Sequence, residues 1–512
     1  SQSSMISTRA TTATKLSQKL LVSLANIFDL KIETWDVSGA FLKGFPFPKV
    51  REHLRQKGHV TVKREVSIRP PDNVWRHLRE NKHCKMWIPD EHSTWWYVLD
   101  CLKSMYGLND APLAWQLVLQ DYLLGKRKGI QSQFDECFVW WMKGPGEVLS
   151  LLTCHVDDNA VASEQWWLDL EFKLFSNEFG GATRSALPFQ HCGLRYKQTD
   201  RGFCMEQDEF CQKLKPFSMT RERAQQESSI LTASELTGLR AILGGLLWLC
   251  QTRIDLICDV VLAQQDVGKE ATILTLKTAN SIVTKAKKYA WTCGLYYPPL
   301  RLPLKMVGIC DSSHASKSSS YAQEGVLIVL MHDKTLHIVK SDSPHYQEIL
   351  SSGKYMSDFV HVLIFISHKA KRVSSSTSTA ETLSANFGKE LAQLVNLRLT
   401  EILGNGILCK LHLKWSLKDL IHIQERCLYI LPCDHCTDCR DLFQLVVGEK
   451  GIPQDRYQRV YVMSLREDRL KGAIRNFLWI PTTAMCVDSL TKVMISGVLY
   501  DLIQHGHWTF DN

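Results

Sequence analysis

The chain has 512 residues with 45% hydrophobic and 22% charged side chains, which excludes a disordered or low-complexity class and supplies material for about three domains. Its 61 Lys and Arg against 53 Asp and Glu give a formal charge of +8, a balance that favours an anionic partner but is spread too thinly to establish one. No uninterrupted apolar run is long enough to cross a bilayer as a helix, and 17 cysteines without a short framework pattern read as reduced thiols of an intracellular protein, cytoplasmic or nuclear.

The Ser- and Thr-rich opening holds no acid before Asp29, a composition shared with transit peptides. The preferred reading is an amphipathic helix from Lys15 to Ile27 with Leu16, Leu20, Leu24 and Ile27 on one face. IETWDVSGAF, residues 32–41, follows as a strand-like run ending at Asp36 before a Ser-Gly pair. Residues 42–78 mix basic side chains with proline, which suits a phosphate backbone or a solvated basic face equally well. CLKSMYGLNDAPLAW, 101–115, reads as a Gly/Pro loop opening a helix, and FDECFVWW, from Phe134, as a strand.

Around Asp157 and Asp158 the stretch VLSLLTCHVDDNAVA has apolar flanks on both sides and Asn159 after the acids, so the spacing predicts a β-hairpin with the two acids at its turn. Adjacent carboxylates repel, and a half-buried pair is held ionised by a cation or by donors; a solvated Asp-Asp-Asn turn is the bland alternative. Two Mg²⁺ ions about 4 Å apart need a few carboxylates converging from separate elements, and Asp36, Asp157 and Asp158 meet that need.

Residues 189–217 read as a hairpin, a short strand and a helix. From Glu235 apolar residues recur at helical spacing with a Gly-Gly interruption, Leu276 to Tyr289 reads as a basic helix, and 294–304, with Tyr-Pro-Pro, as a linker. LKMVGICDSS then forms a strand ending in Asp311; Glu381 lies in a helix, Asp434 ends the apolar run LYILPC, and Asp488 lies in IPTTAMCVDSLTK. Ser378 with Glu381 also fits a capping box, Asp488 fits a helix cap, and Asp438 competes with Asp434. Cys433, Cys436 and Cys439 with His435 lack a second ligand pair for structural zinc.

These motifs, in this order, resemble the reverse transcriptase and ribonuclease H region of copia-type (Ty1/copia) retrotransposon Pol polyproteins. The resemblance rests on the family's Asp-Val-x-x-Ala-Phe-Leu motif at Asp36, its Tyr-Gly-Leu-x-x-Ala-Pro-x-Ala-Trp segment at 106–115, and its aromatic-Val-Asp-Asp hairpin, where His155 replaces the aromatic residue. Thr252 to Asp255 resembles the thumb corner, with Ile254 in place of Pro. The three nuclease motifs are altered: Thr377 and Ser378 stand in swapped order, His435 and Thr437 follow Asp434, and Val487 precedes Asp488.

The resemblance implies an α/β (α+β) multidomain fold, with partial fingers and palm over 1–217, a helical thumb or connection over 218–300, and a ribonuclease H-like mixed sheet flanked by helices over 301–512. It implies RNA-directed DNA synthesis at Asp36, Asp157 and Asp158 and hybrid cleavage at Asp311, Glu381, Asp434 and Asp488, with two Mg²⁺ per site, or Mn²⁺ in their place. Phe41, His155 and Val156 would border the nucleotide. The implied partners are an RNA template, a DNA primer, an RNA/DNA hybrid and dNTPs, with a homodimer or the remaining polyprotein parts as further candidates and no membrane. In the family a basic fingers segment precedes the helix at Lys15, so the chain reads as a piece of a longer polyprotein. The alternative is a lapsed remnant that only binds nucleic acid, or one that keeps ribonuclease H alone. It rests on the lack of that fingers segment, on His155, on the altered motifs and on two insertion-like stretches, about 337–361 and 409–432.

Overall fold

The computed structural model describes residues 10–84, 86–268, 270–313, 321–334 and 358–508. The first nine residues and most of the 337–361 stretch lie outside them. The chain is a mixed α/β fold with several sheets, as the sequence predicts.

The first helix spans Lys15–Ile27, and the Thr14 hydroxyl caps it by accepting from Ser17 N. It is buried along its whole middle, from Ser17 to Ala25, rather than on one face. The reason is its position between two sheets, whose apolar residues join its own in one continuous core. On the C-terminal side the Ser23 hydroxyl donates to His361 Nδ1 at 2.8 Å, and His361 Nε2 donates to the Pro298 carbonyl at 2.7 Å. Nearby, Arg398 Nη2 donates to Ser17 Oγ at 2.5 Å, and Glu401 accepts from Ser132 Oγ and Gln133 N.

The N-terminal sheet is six-stranded and antiparallel, in the order Ile130–Gln131, Phe138–Gly144, Glu147–His155, Asp158–Ser163, Lys31–Asp36, Thr183–Ala186. Alternation sets its two faces. Phe138, Trp140, Leu151, Ala160, Ala162 and Ile32 pack with the first helix. Val139, Leu152, Val161 and Trp35 pack beneath helices Ala111–Gln120 and Gln165–Glu178. Pro112 at the start of the former suits a first helical turn, which needs no backbone donor there.

A second sheet joins Phe189–His191, Leu194–Thr199 and Gly202–Glu206 to Leu295–Tyr297. The stretch expected as a linker therefore supplies a strand. Gly202, at φ +119°, permits that pairing: a Cβ there would stand 2.2 Å from the Tyr297 carbonyl oxygen. The following helices, Ala233–Leu249, Ile257–Gln265 and Ile273–Lys288, pack around Leu239, Leu246, Val260 and Leu276. The Gly-Gly pair does not interrupt the first of them; Gly245 instead admits Leu214 against the helix. The Thr252 to Asp255 corner is buried, with Arg253 paired to Asp255 and donating to the Ala286 carbonyl.

The C-terminal sheet is mixed, in the order Asn476–Trp479, Cys433–Thr437, Leu304–Ser313, Tyr321–His332, Asp358–Val373, His507–Trp508. Leu304–Ser313 runs antiparallel to Tyr321–His332 and parallel to Cys433–Thr437, which in turn is parallel to Asn476–Trp479. The strand LKMVGICDSS is buried at every position, its apolar run Met306–Cys310 lying between covered faces. Helix Thr377–Leu403 makes the crossover side. The 409–432 stretch folds outside the sheet: helix Leu417–Arg426 packs Leu420 and Ile423 with Trp415 on Leu397. None of the 17 cysteines is disulfide-bonded. No helix of the described residues is long and apolar enough to cross a membrane.

Candidate active sites

At the N-terminal centre the hairpin is as tight as the sequence predicts. Register pairs His155 with Asp158, so Val156 and Asp157 alone form the loop. Val156 sits at φ +61°, a left-handed conformation that is costly for a β-branched residue and recurs at functional turns. Trp115 fixes it by donating Nε1–H to the Val156 carbonyl at 2.6 Å. Asp36 stands directly across from Asp158 in the neighbouring strand, and Val37 N donates to the Asp157 carbonyl at 3.3 Å. All three predicted acids thus meet at one end of the sheet, each half-buried.

Their electrostatics differ. Burial and then the charges of Asp157 and Asp158 push the Asp36 carboxyl above its ordinary range. Burial also opposes ionisation of Asp158, but His191 and Thr34 outweigh it and hold that carboxyl below its usual value. Thr34 Oγ1 donates to Asp158 Oδ1 at 2.5 Å, and His191 Nδ1 lies 2.9 Å from Asp158 Oδ2. Phe41 lies in a short helical turn with its ring 5.1 Å from that of Tyr106, and His155 lies 6.4 Å from His191, ring to ring. Neither contact of Asp158 is legible in the sequence, because strand pairing brings in Thr34 and the second sheet brings in His191.

At the C-terminal centre, Asp311, Glu381 and Asp438 each present a carboxylate oxygen, all within 4.8 Å of one another. It is the one such group found among the described residues. Asp311 comes from the central strand, Glu381 from the second turn of the long helix, and Asp438 from the residue just past strand Cys433–Thr437. Ser312 N donates to Glu381 Oε1 at 3.3 Å, whereas Glu381 Oε2 is buried without a hydrogen-bond partner. Burial pushes Asp311 up to about 6 and Glu381 well above its ordinary value. Burial and the neighbouring Asp488 raise Asp438 as well. Such a set is electrostatically stable with a cation or a bound proton among its members. Its donors are hard oxygens, and the orphaned Glu381 Oε2 needs a partner, so these residues fit a divalent metal ion.

Asp488 opens the short helix Asp488–Thr491, capped by no side chain, and pairs with Lys492 Nζ at 2.7 Å. Thr491 Oγ1 donates to Asp311 Oδ2 at 2.5 Å. Ser378 is not a cap: Ser376 occupies that place, and Ser378 Oγ donates instead to Asp441 Oδ2.

The structure does not bring Asp434 to this group. Parallel register sets Asp434 opposite Val307, four residues short of Asp311 and so about 13 Å along the strand. Continuing the same register sets Asp438 beside Asp311. Asp434 is fully buried and its acceptors are taken: Arg475 Nε and Nη2 donate at 2.9 and 2.7 Å, Asn476 Nδ2 at 2.8 Å, and Lys305 Nζ lies 3.3 Å away. Burial opposes its charge, yet Lys305 and Arg475 prevail and lower its carboxyl. Arg475 also bonds Asp333 at 2.7 Å. Asp434 therefore anchors two strands. The apolar run LYILPC was a misleading guide, since the strand itself is the polar and fully buried CDHCT. Cys433, Cys436, Cys439 and His435 form no metal-ligating group among the described residues.

No family model and no curated protein matches the chain. Among solved structures it is similar to a foamy viral protease-reverse transcriptase in complex with an RNA/DNA hybrid, at 12% identity and a TM-score of 0.41. That likeness covers 92% of this chain and 46% of the other, so the chain spans about half of that protein's length.

Proposed function

We propose that the chain is the reverse transcriptase and ribonuclease H region of a copia-type retroelement polyprotein, with the nuclease over 301–512, fingers and palm over 1–217, and thumb or connection over 218–300. The observation that carries this reading is the convergence of Asp311, Glu381 and Asp438 at the end of a mixed sheet, with Asp488 one contact away. Three buried or half-buried carboxylates from a strand, a helix and a strand end suit Mg²⁺, or Mn²⁺ in its place, and the substrate class is the RNA strand of an RNA/DNA hybrid. A divalent ion bound there stabilises charge on the phosphate and lowers the pKa of a water. The chain's own contribution is rigidity: Thr491 fixes Asp311, Ser312 fixes Glu381, and Thr482 Oγ1 donates to Asp438 Oδ2 at 3.1 Å.

At the N-terminal centre Asp36, Asp157 and Asp158 take the cation-binding role for joining a dNTP to a DNA primer on an RNA template, with Phe41, His155 and Val156 bordering the nucleotide. A second reading, in which the nuclease persists and synthesis has lapsed, is favoured by the hold of Thr34 and His191 on Asp158. One reaction separates the two. In Mg²⁺, a labelled DNA primer on a labelled RNA template is extended and the hybrid is cut if both centres work. Cleavage without extension selects the second reading, and a folded protein that yields neither product contradicts both.

A further inference from the structure

The fourth acid of the C-terminal centre is neutralised from within the chain. Asp488 stands outside the 4.8 Å group formed by Asp311, Glu381 and Asp438. It faces Lys492 instead, one helical turn away, with Nζ 2.7 Å from Asp488 Oδ1. The same ammonium is 4.0 Å from Asp311 Oδ2, the oxygen that also accepts from Thr491. The Asp311–Asp488 edge thus already carries a positive charge, and a divalent ion seated there would have to displace it.

We propose that the cluster takes a single divalent cation, at Asp311, Glu381 and Asp438, and that the Lys492 ammonium stands as the second positive charge between Asp488 and Asp311. The Lys492 side chain is 50% exposed, so its head is reachable from solvent although its partners are buried. An ammonium has three donors. One donates to Asp488 while the charge stands 4.0 Å from Asp311, so a further donor is available to a phosphate oxygen, which gives Lys492 a compact charge where an RNA backbone would lie. Glu381 Oε2 is nevertheless buried without a hydrogen-bond partner, which supplies the reason that a cation is still required in the group. The chemistry of this assignment rests on the nuclease reading; the count of ions does not.

The test counts bound Mn²⁺ by electron paramagnetic resonance on the full chain, with Asp36→Asn, Asp157→Asn and Asp158→Asn silencing the N-terminal centre. One ion per chain is expected, none after Asp438→Asn, and two after Lys492→Met, which opens the Asp311–Asp488 edge. Lys492→Arg keeps the charge and should keep the count at one. Two ions with Lys492 intact, or one ion still after Lys492→Met in a protein with an unchanged circular dichroism spectrum, would overturn the assignment. Hybrid cleavage measured alongside keeps the readings apart. Cutting that needs two ions with Lys492 present would sink the lysine role and leave the nuclease standing, whereas one ion without cutting supports the lysine role and sinks the nuclease.

Discussion

The N-terminal acids meet beside a two-residue loop, Asp157 in it, Asp158 just after it and Asp36 across from Asp158 in the next strand, all half-buried and with Asp158 already engaged by Thr34 and His191. The C-terminal acids come from three elements, lie deeper, and leave Glu381 Oε2 without a partner. Both arrangements collect carboxylates, but they handle the repulsion between them differently. Thr34 and His191 already engage Asp158 in the first set, so a cation there competes with them. The second set is unfavourable without a cation or a proton, and burial makes it so. The difference predicts a C-terminal centre that binds metal more tightly and a N-terminal centre that is the more easily lost.

The sharpest way to break this comparison is to remove one acid from each centre. Asp157→Asn should reduce primer extension by about 10³-fold and leave hybrid cleavage intact, while Asp311→Asn should do the reverse. Loss of both activities in either variant, with unchanged thermal unfolding, would mean that the centres are not separate. Next in size is the anchor. Asp434→Ala leaves the buried Lys305 and the half-buried Arg475 without their shared acid, and should lower stability by about 3–5 kcal/mol in denaturant titration.

A third prediction concerns the seam between the two halves. Burial lowers the His361 imidazole to about 4, and the ring bridges Ser23 and the Pro298 carbonyl in its neutral form. As pH falls, the unfolded chain takes up this proton first, so the contribution is complete above about pH 6.5 and is lost on the way down to about pH 4. The loss amounts to roughly 3 kcal/mol. Unfolding measured across that range should lose this part of its pH dependence in His361→Gln. The smallest effect lies at the hairpin: Val156→Gly relieves the left-handed strain and should stabilise the fold by about 1 kcal/mol. If the strained turn aims Asp157, the same change should slow primer extension.

Local pattern made much of this visible in the sequence. The Leu spacing and Thr14 mark the helix Lys15–Ile27, and the apolar flanks of Asp157 and Asp158 mark the hairpin and its turn. What escaped depends on register and on burial from outside the segment. The first helix reads as amphipathic because its sequence cannot reveal the second sheet that covers its other side. Residues 295–297 read as linker because their strand partner lies about ninety residues earlier. The sequence favours Asp434 over Asp438, since an apolar run is the ordinary sign of a strand, whereas the polar strand Cys433–Thr437 is held in the core by the bonds of Asp434 to Lys305, Arg475 and Asn476. Only the parallel register with Leu304–Ser313 decides between the two acids.

The most direct test of the C-terminal centre is therefore hybrid cleavage in Mg²⁺ by Asp438→Asn and Asp434→Asn side by side, scored per folded molecule. The account predicts that Asp438→Asn abolishes cutting while Asp434→Asn, though less stable, still cuts. Cutting that survives Asp438→Asn and disappears with Asp434→Asn in folded protein would contradict it.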